Sequence, residues 1–230
     1  MSNSLTPEEV KQEYIEKMGQ PIGECFYSLW NEIVFIYTKW SEFLALYVEK
    51  PKRIELLNQV APSFFRITQD LIWENILLSI ARITDVPKSQ KDKFNLTILQ
   101  FPELITDQKF RNELLPLIKT AIESSDFCRD WRNRHIAHRD YYLAVNQSVT
   151  PLKEATVAKV RVALSSICKV MNTVDYFYRE TTTHFEVGNI PGGIYSLLYV
   201  MNDGLKYDAE RERRFENDEC REDDFIKEDI

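Results

Sequence analysis

Glycine is scarce in this chain, at 6 of 230 residues. Phosphate-cradling loops need glycines so that the backbone can approach the phosphate closely. Here Gly192-Gly193 is the only adjacent pair, and neither GxGxxG nor GxxxxGK occurs. The usual nucleotide loops therefore have little to be built from, and a turn-rich all-β domain is disfavoured. The four cysteines, Cys25, Cys128, Cys168 and Cys220, are widely spaced. They form no CxxC pair, no histidine lies at zinc-ligand spacing from them, and they read as free thiols of a reducing cytosol. No basic stretch followed by an apolar one marks the N-terminus. The densest apolar runs are interrupted by Glu, Lys, Asp or Arg and fall short of a membrane span. The expectation is a cytosolic protein that uses no membrane, metal or cofactor.

What is present is ordinary for a folded chain, and 230 residues can bury one sizeable core with appendages. The net charge of −7 argues at first against a nucleic-acid partner. Its distribution changes that reading. Residues 208–230 hold eleven Asp and Glu against five Lys and Arg, a net of −6, so residues 1–207 carry only −1. We therefore read two parts: a nearly neutral body over 1–207, able to carry a local basic site, and a charged tail over 208–230. Such a tail is a solvated helix or frayed end, or else a nucleic-acid mimic or a segment that covers the chain itself.

The pattern along the body is helical. Thr6-Pro7-Glu8-Glu9 reads as a capping box with proline at the first helical position, and the helix it opens ends near Gly19. Pro21 opens the next. There Leu29, Ile33, Ile36, Trp40, Phe43 and Tyr47 are spaced 4-3-4-3-4, one stripe of a helix that Pro51 ends. A third segment restarts at Pro62, with Ile67, Leu71, Ile76, Ile80 and Ile83 as its buried face. The lysine-rich stretch 86–95 reads as a loop, and a short helix follows around 96–105. A long helix is expected from Asp107 to His138, with a bend at Pro116. Thr150-Pro151 is taken to start another helix, in which Val160, Leu164, Ile167, Met171, Val174 and Tyr178 repeat the 4-3-4-3-4 spacing. Ile190-Pro191-Gly192-Gly193 breaks the chain before a last helix from Ile194. With no alternating strand pattern and no internal repeat, the fold class is all-α: an antiparallel bundle of four long helices with extra short ones.

Chemistry concentrates in Arg132-Asn133-Arg134-His135-Ile136-Ala137-His138-Arg139-Asp140. Nine residues gather two of the three histidines, three arginines and an asparagine. Imidazole moves protons near neutral pH, and guanidinium holds phosphate with two parallel hydrogen bonds. The plainer reading is also open: Arg and His near a helix C-terminus complement its dipole, and Asp130, Asp140 and Arg139 form surface ion pairs. Trp30, Trp40, Trp73 and Trp131 read as core or interface, with base stacking open for Trp131. His184, after three threonines, is given no role.

Arg132-Asn133 followed by His138 resembles the RNxxxxH signature of HEPN domains (higher eukaryotes and prokaryotes nucleotide-binding). The earlier stretch from Ile72 through Ala81-Arg82-Ile83-Thr84-Asp85, followed by Asn95-Leu96-Thr97, resembles the AbiU-type branch, which is tied to abortive phage infection. The resemblance implies a helical bundle that dimerises and brings two copies of the motif into one cleft. Many relatives are metal-independent ribonucleases, in phage defence or toxin–antitoxin settings. Others are non-catalytic modules that bind nucleotide, RNA or a protein partner, and an antitoxin protein is a further possible partner. Arg82 and Asp85 match the family's second motif, either as a cap at a helix end or with Arg82 as a phosphate contact beside the cleft.

Under the ribonuclease reading, Arg132, Asn133 and His138 are the catalytic candidates. His138 would transfer the proton, Arg132 would stabilise phosphoryl charge, and Asn133 would orient His138 or a phosphate. Arg134, His135, Arg139 and Arg82 would contact the RNA backbone. One geometric difficulty stands out. Six residues separate Arg132 from His138, about 600° on a straight helix, which leaves them about 120° apart in projection. Either the helix ends or unwinds near Ala137, or each site borrows residues from both protomers.

Overall fold

The computed structural model describes residues 5–90, 93–145, 150–186, 188 and 190–225. Helices begin where the sequence supplies caps. In front of α1 (Pro7–Met18), the Thr6 hydroxyl accepts from the Glu9 amide at 3.3 Å, and the Glu9 carboxylate accepts from the Thr6 amide at 2.7 Å. Gly19, at φ 85°, turns the chain directly into α2 (Gln20–Tyr47). A side chain at Gly23 would sit 2.6 Å from the Ile15 Cα, so this glycine is what lets the two helices approach. Prolines then open α3 (Pro51–Val60) and α4 (Pro62–Ile83), each at a position where its missing N–H costs nothing.

The stretch expected as a loop forms a short antiparallel hairpin instead, β1 (Lys88–Gln90) with β2 (Lys93–Phe94). Strands of three and two residues are too short to show alternation. Asn95 holds the hairpin's base, its amide donating to the Pro87 carbonyl and its side chain to the Val86 carbonyl, both at 2.8 Å. After a 3-10 turn and α5 (Phe101–Leu104) comes α6 (Gln108–Ser124), capped by the Asp107 carboxylate. α6 continues unbroken through Pro116. The break falls at Ser125, whose hydroxyl bonds back to the Ala121 carbonyl at 2.6 Å and across to Thr84 Oγ1 at 3.2 Å. Serine back-bonding of this kind bends helices. The expected helix over 107–138 is therefore three pieces: α6, α7 (Asp126–Trp131) and a π-helical turn over Arg132–Ile136. The chain continues through α8 (Tyr141–Ala144), α9 (Val157–Arg179) and α10 (Ile194–Glu216). The cap of α9 is Thr156, not the expected Thr150.

Two compact units form, and α2 and α4 contribute residues to both. One contains Met1–Trp40 and Ile72–Glu186, the other Ser41–Leu71 and Val187–Ile230. The first carries the larger core. Leu29, Ile33 and Ile36 of α2, Ile76, Ile80 and Ile83 of α4, Leu114 of α6, and Val160, Leu164, Ile167, Met171 and Val174 of α9 are all buried, as both 4-3-4-3-4 stripes predict. Each fully buried aliphatic side chain contributes about 1.5–3 kcal/mol. Ring stacking of Phe110 on Phe177, at 3.8 Å, joins α6 to α9. On α9, Asp175 is buried beside Arg179, whose guanidinium lies 4.2 Å over the Tyr14 ring.

In the second unit Ala45, Leu46, Leu57, Phe65, Ile194, Leu198 and Met201 form a small core. Here the expected face of α4 fails: Ile67 and Leu71 are exposed, and Phe65 is the buried residue. Glu42 caps α10, accepting from the Ile194 amide at 2.8 Å. Past the end of α10 the chain folds back. Asp224 forms a buried two-pronged ion pair with Arg214 and also accepts from the Arg221 amide at 2.9 Å. Those bonds hold the Asp224 carboxyl down at about 2. Among the described residues no helix is long and apolar enough to cross a membrane.

Candidate functional site

The motif begins as α7 and changes pitch at Arg132. The Ala137 amide donates to the Arg132 carbonyl at 2.8 Å, an i→i+5 bond, and regular helix stops at Ile136. Single π turns of this kind recur at functional sites. A longer loop from the Asp140 amide to the Arg134 carbonyl, at 3.0 Å, closes the end. Helical projection therefore no longer governs His138, which lies two residues beyond the last turn.

Arg132 and His135 share a face, and that face meets the first motif. Arg132 Nη1 forms an ion pair with Asp85 Oδ2, each side chain about a quarter exposed or less. Its Nε donates to Asn133 Oδ1 at 2.9 Å. His135 Nε2 lies 3.2 Å from Glu74 Oε1, and its ring meets Trp131 edge-on at 5.3 Å. The Arg132–His135 face is thus answered by two acids of the first motif, Glu74 within α4 and Asp85 just past its end. Thr84 strengthens the junction, its carbonyl accepting from Arg129 at 2.8 Å and its hydroxyl from Ser125. This is the physical tie between the two sequence motifs: one holds the other's arginine.

Arg134 points the other way. It pairs with Asp130 at 3.4 Å and Asp140 at 3.6 Å, and donates to the Thr150 carbonyl at 2.6 Å. Beside it, Trp131 Nε1 donates to the Lys153 carbonyl and Asp130 accepts from the Lys153 amide, both at 2.8 Å. Together these bonds pin the segment ahead of α9. The Trp131 indole is thereby oriented from both sides, by Lys153 and by His135.

His138 and Arg139 are exposed, and among the described residues neither forms a hydrogen bond or ion pair. Arg82 is likewise exposed and unpaired among the described residues, and it lines a cavity of about 250 Å³ that Asp85 also lines. Nearby, Lys39 Nζ donates to Asn75 Oδ1 at 2.6 Å. Burial pulls the Lys39 ammonium below the usual lysine range, with Glu32 opposing that fall and Arg82 adding to it. Within one chain the structure thus groups Arg132, Asn133, Asp85 and Arg82, and leaves His138 without a bond to any of them.

Sequence reasoning did not assign Asp85 as the partner of Arg132, nor Glu74 as that of His135. Asp85 closes the first motif, but nothing local shows which cation answers it. Phe94, on the hairpin, carried no signal. The thiols offer no nucleophile in this region: Cys128 is buried, and burial pushes its thiol up. Among the described residues no three His, Cys, Asp or Glu side chains gather as a metal site would require.

A helical bundle carrying an Arg-Asn…His motif is that of a HEPN-type domain. The family model described as AbiU2, one of the HEPN families, matches residues 19–189. The chain belongs to that family. No curated protein and no solved structure matches it.

Proposed function

We propose that this protein is a metal-independent endoribonuclease of abortive phage infection or a related toxin system, with its site composed at a homodimer interface. The observation that carries this reading is the contrast between Arg132 and His138. Arg132 is fixed by Asp85 and Asn133, as a positioned electrostatic group must be. His138, six residues on, is exposed, and its nitrogens bond to nothing among the described residues. A histidine held there by structural need would have a partner, and an unbonded imidazole beyond a π turn is free to meet substrate and a second copy of itself.

The chemistry follows from the residue types. One His138 takes the proton from the RNA 2′-hydroxyl, O2′ attacks the adjacent phosphorus, and the P–O5′ bond breaks. The partner protomer's copy of this histidine returns a proton to O5′. The products are a 2′,3′-cyclic phosphate and a 5′-hydroxyl. Arg132 meets the charge that builds on the non-bridging oxygens through Nη2, while Nη1 and Nε are held. Asn133 keeps that guanidinium aimed. Arg139, exposed and unpaired among the described residues, approaches a flanking phosphate. Replacing His138 by alanine tests this: RNA cleavage should fall by about 10²–10⁴-fold, and cleavage unchanged in the variant would end the reading.

A further inference from the structure

The cavity beside Arg82 is unused by the chemistry above. It measures about 250 Å³, and its wall includes Glu32, Arg82, Asp85, Phe94 and Asn95. Three features set it apart from the other surface depressions. Its wall includes the Asp85 side chain that holds Arg132, so the cavity adjoins the candidate site. Arg82, which is exposed and unpaired among the described residues, lines it. And it includes a large aromatic ring, Phe94 of the hairpin, that is 69% exposed.

That exposure needs a reason. Scattered exposed apolar residues are common, but a ring on a two-residue strand gains nothing from solvent and packs in no core. Lys88 lies across the hairpin with its ammonium over one face of the ring, 5.3 Å from the centroid, so a base would stack on the opposite face. Asn95 is fixed through its amide nitrogen to the Val86 carbonyl, so it forms a set polar edge of the cavity. An aromatic residue, an arginine and a fixed polar edge at one small cavity match the parts of one nucleotide: base, phosphate and base edge.

We infer that Phe94 and Arg82 form a subsite for one unpaired RNA nucleotide, with the base stacked on Phe94 and its phosphate on Arg82. The subsite rests on the ribonuclease reading for its location next to the scissile phosphate, but its test reads binding alone. A protein partner seated on the hairpin is the competing occupant, and the same test separates the two.

The experiment measures the affinity of the full chain for a fluorescein-labelled single-stranded octauridylate by anisotropy, at several salt concentrations. His138→Ala serves as the background, so that cleavage does not intervene. Phe94→Ala should weaken binding by about 5- to 150-fold, the usual worth of one stacked base. It should leave the slope of affinity against salt unchanged, because no phosphate contact is lost. Phe94→Tyr should bind within about twofold of the parent, whereas Phe94→Leu, equally apolar, should resemble the alanine variant. Arg82→Ala should instead lower the salt slope by about 0.7, the share of one phosphate contact on a single strand. Equal affinity for Phe94→Ala and the parent overturns the subsite, as does full binding by Phe94→Leu or no RNA binding by the parent. Should Phe94→Ala bind normally while His138 proves essential for cleavage, the ribonuclease reading survives and the subsite alone falls. Binding that depends on Phe94 in a native chain that cuts no RNA would keep the subsite and end the ribonuclease reading.

Discussion

Removing the Asp85 carboxylate should uncouple the two motifs, and the size of the effect follows from its setting. Asp85 and Arg132 are 24% and 21% exposed at their side chains, so the pair sits between two regimes. Fully exposed pairs contribute under about 1 kcal/mol, and breaking fully buried ones costs about 3–5 kcal/mol. For this pair we expect a coupling of about 1–2 kcal/mol, within the range measured for contacting residues. Asp85 also accepts from the Val86 amide at 3.0 Å. A single substitution would mix that loss with the ion pair, whereas a double-mutant cycle of Asp85→Ala with Arg132→Ala cancels it. Urea unfolding of the four proteins would measure the coupling. In a chain of this length, about 1 kcal/mol moves Tm by about 2–4 °C, so calorimetry would also resolve it. Additivity of the two substitutions within about 0.3 kcal/mol would refute the claim that the first motif holds the arginine of the second.

Other expectations differ in kind. Arg134→Ala should release the segment ahead of α9, seen as faster hydrogen exchange at the Lys153 amide, because Arg134 holds the Thr150 carbonyl beside Asp130; unchanged exchange would count against it. Asp175 Oδ1 has no hydrogen bond, and Arg179 Nη1, 3.5 Å away, supplies charge attraction without hydrogen-bond geometry. Burial raises this carboxyl above its ordinary range, with Arg179 opposing. A raised folded-state value means that its contribution is fully present below the unfolded value and is lost as pH rises through the folded one. Wild-type stability should therefore rise relative to Asp175→Asn as pH falls from about 7 toward about 4, and parallel Tm curves would contradict this. Light scattering should find a dimer at micromolar concentration, since a composite site needs two protomers; a monomer that still cleaves RNA would remove the need for one.

Much of the fold is legible in the sequence because burial is one-sided. The α2 and α9 stripes repeat at helical spacing with polar residues opposite, and every member of either stripe but its terminal tyrosine is buried. The first half of α4 misleads because its local apolar stripe, Phe64, Ile67 and Leu71, lies opposite the polar Arg66 and Asp70 yet is exposed, while Phe65 off that stripe packs into the second unit's core. Tertiary contacts decide two further boundaries. Ser125 ends α6 by bonding to Thr84, which is 41 residues away, and Thr150-Pro151 is held in a non-helical path by Arg134. Both competitors are distant in sequence and invisible to a local pattern. At the site, the residue types can be read directly, and the break near Ala137 is one of the two alternatives that the Arg132–His138 spacing leaves. The pairing of Arg132 with Asp85 and of His135 with Glu74 cannot, because it depends on which face of the motif turns toward α4.

The most direct measurement is the end chemistry of RNA cut in the presence of EDTA by the native protein and by His138→Ala. The native protein should yield products ending in 2′,3′-cyclic phosphate and leave single-stranded DNA uncut, and the variant should cut almost no RNA. Products carrying a 3′-hydroxyl, or cleavage that chelator abolishes and magnesium or manganese restores, would contradict a mechanism in which His138 and the RNA's own 2′-hydroxyl do the chemistry.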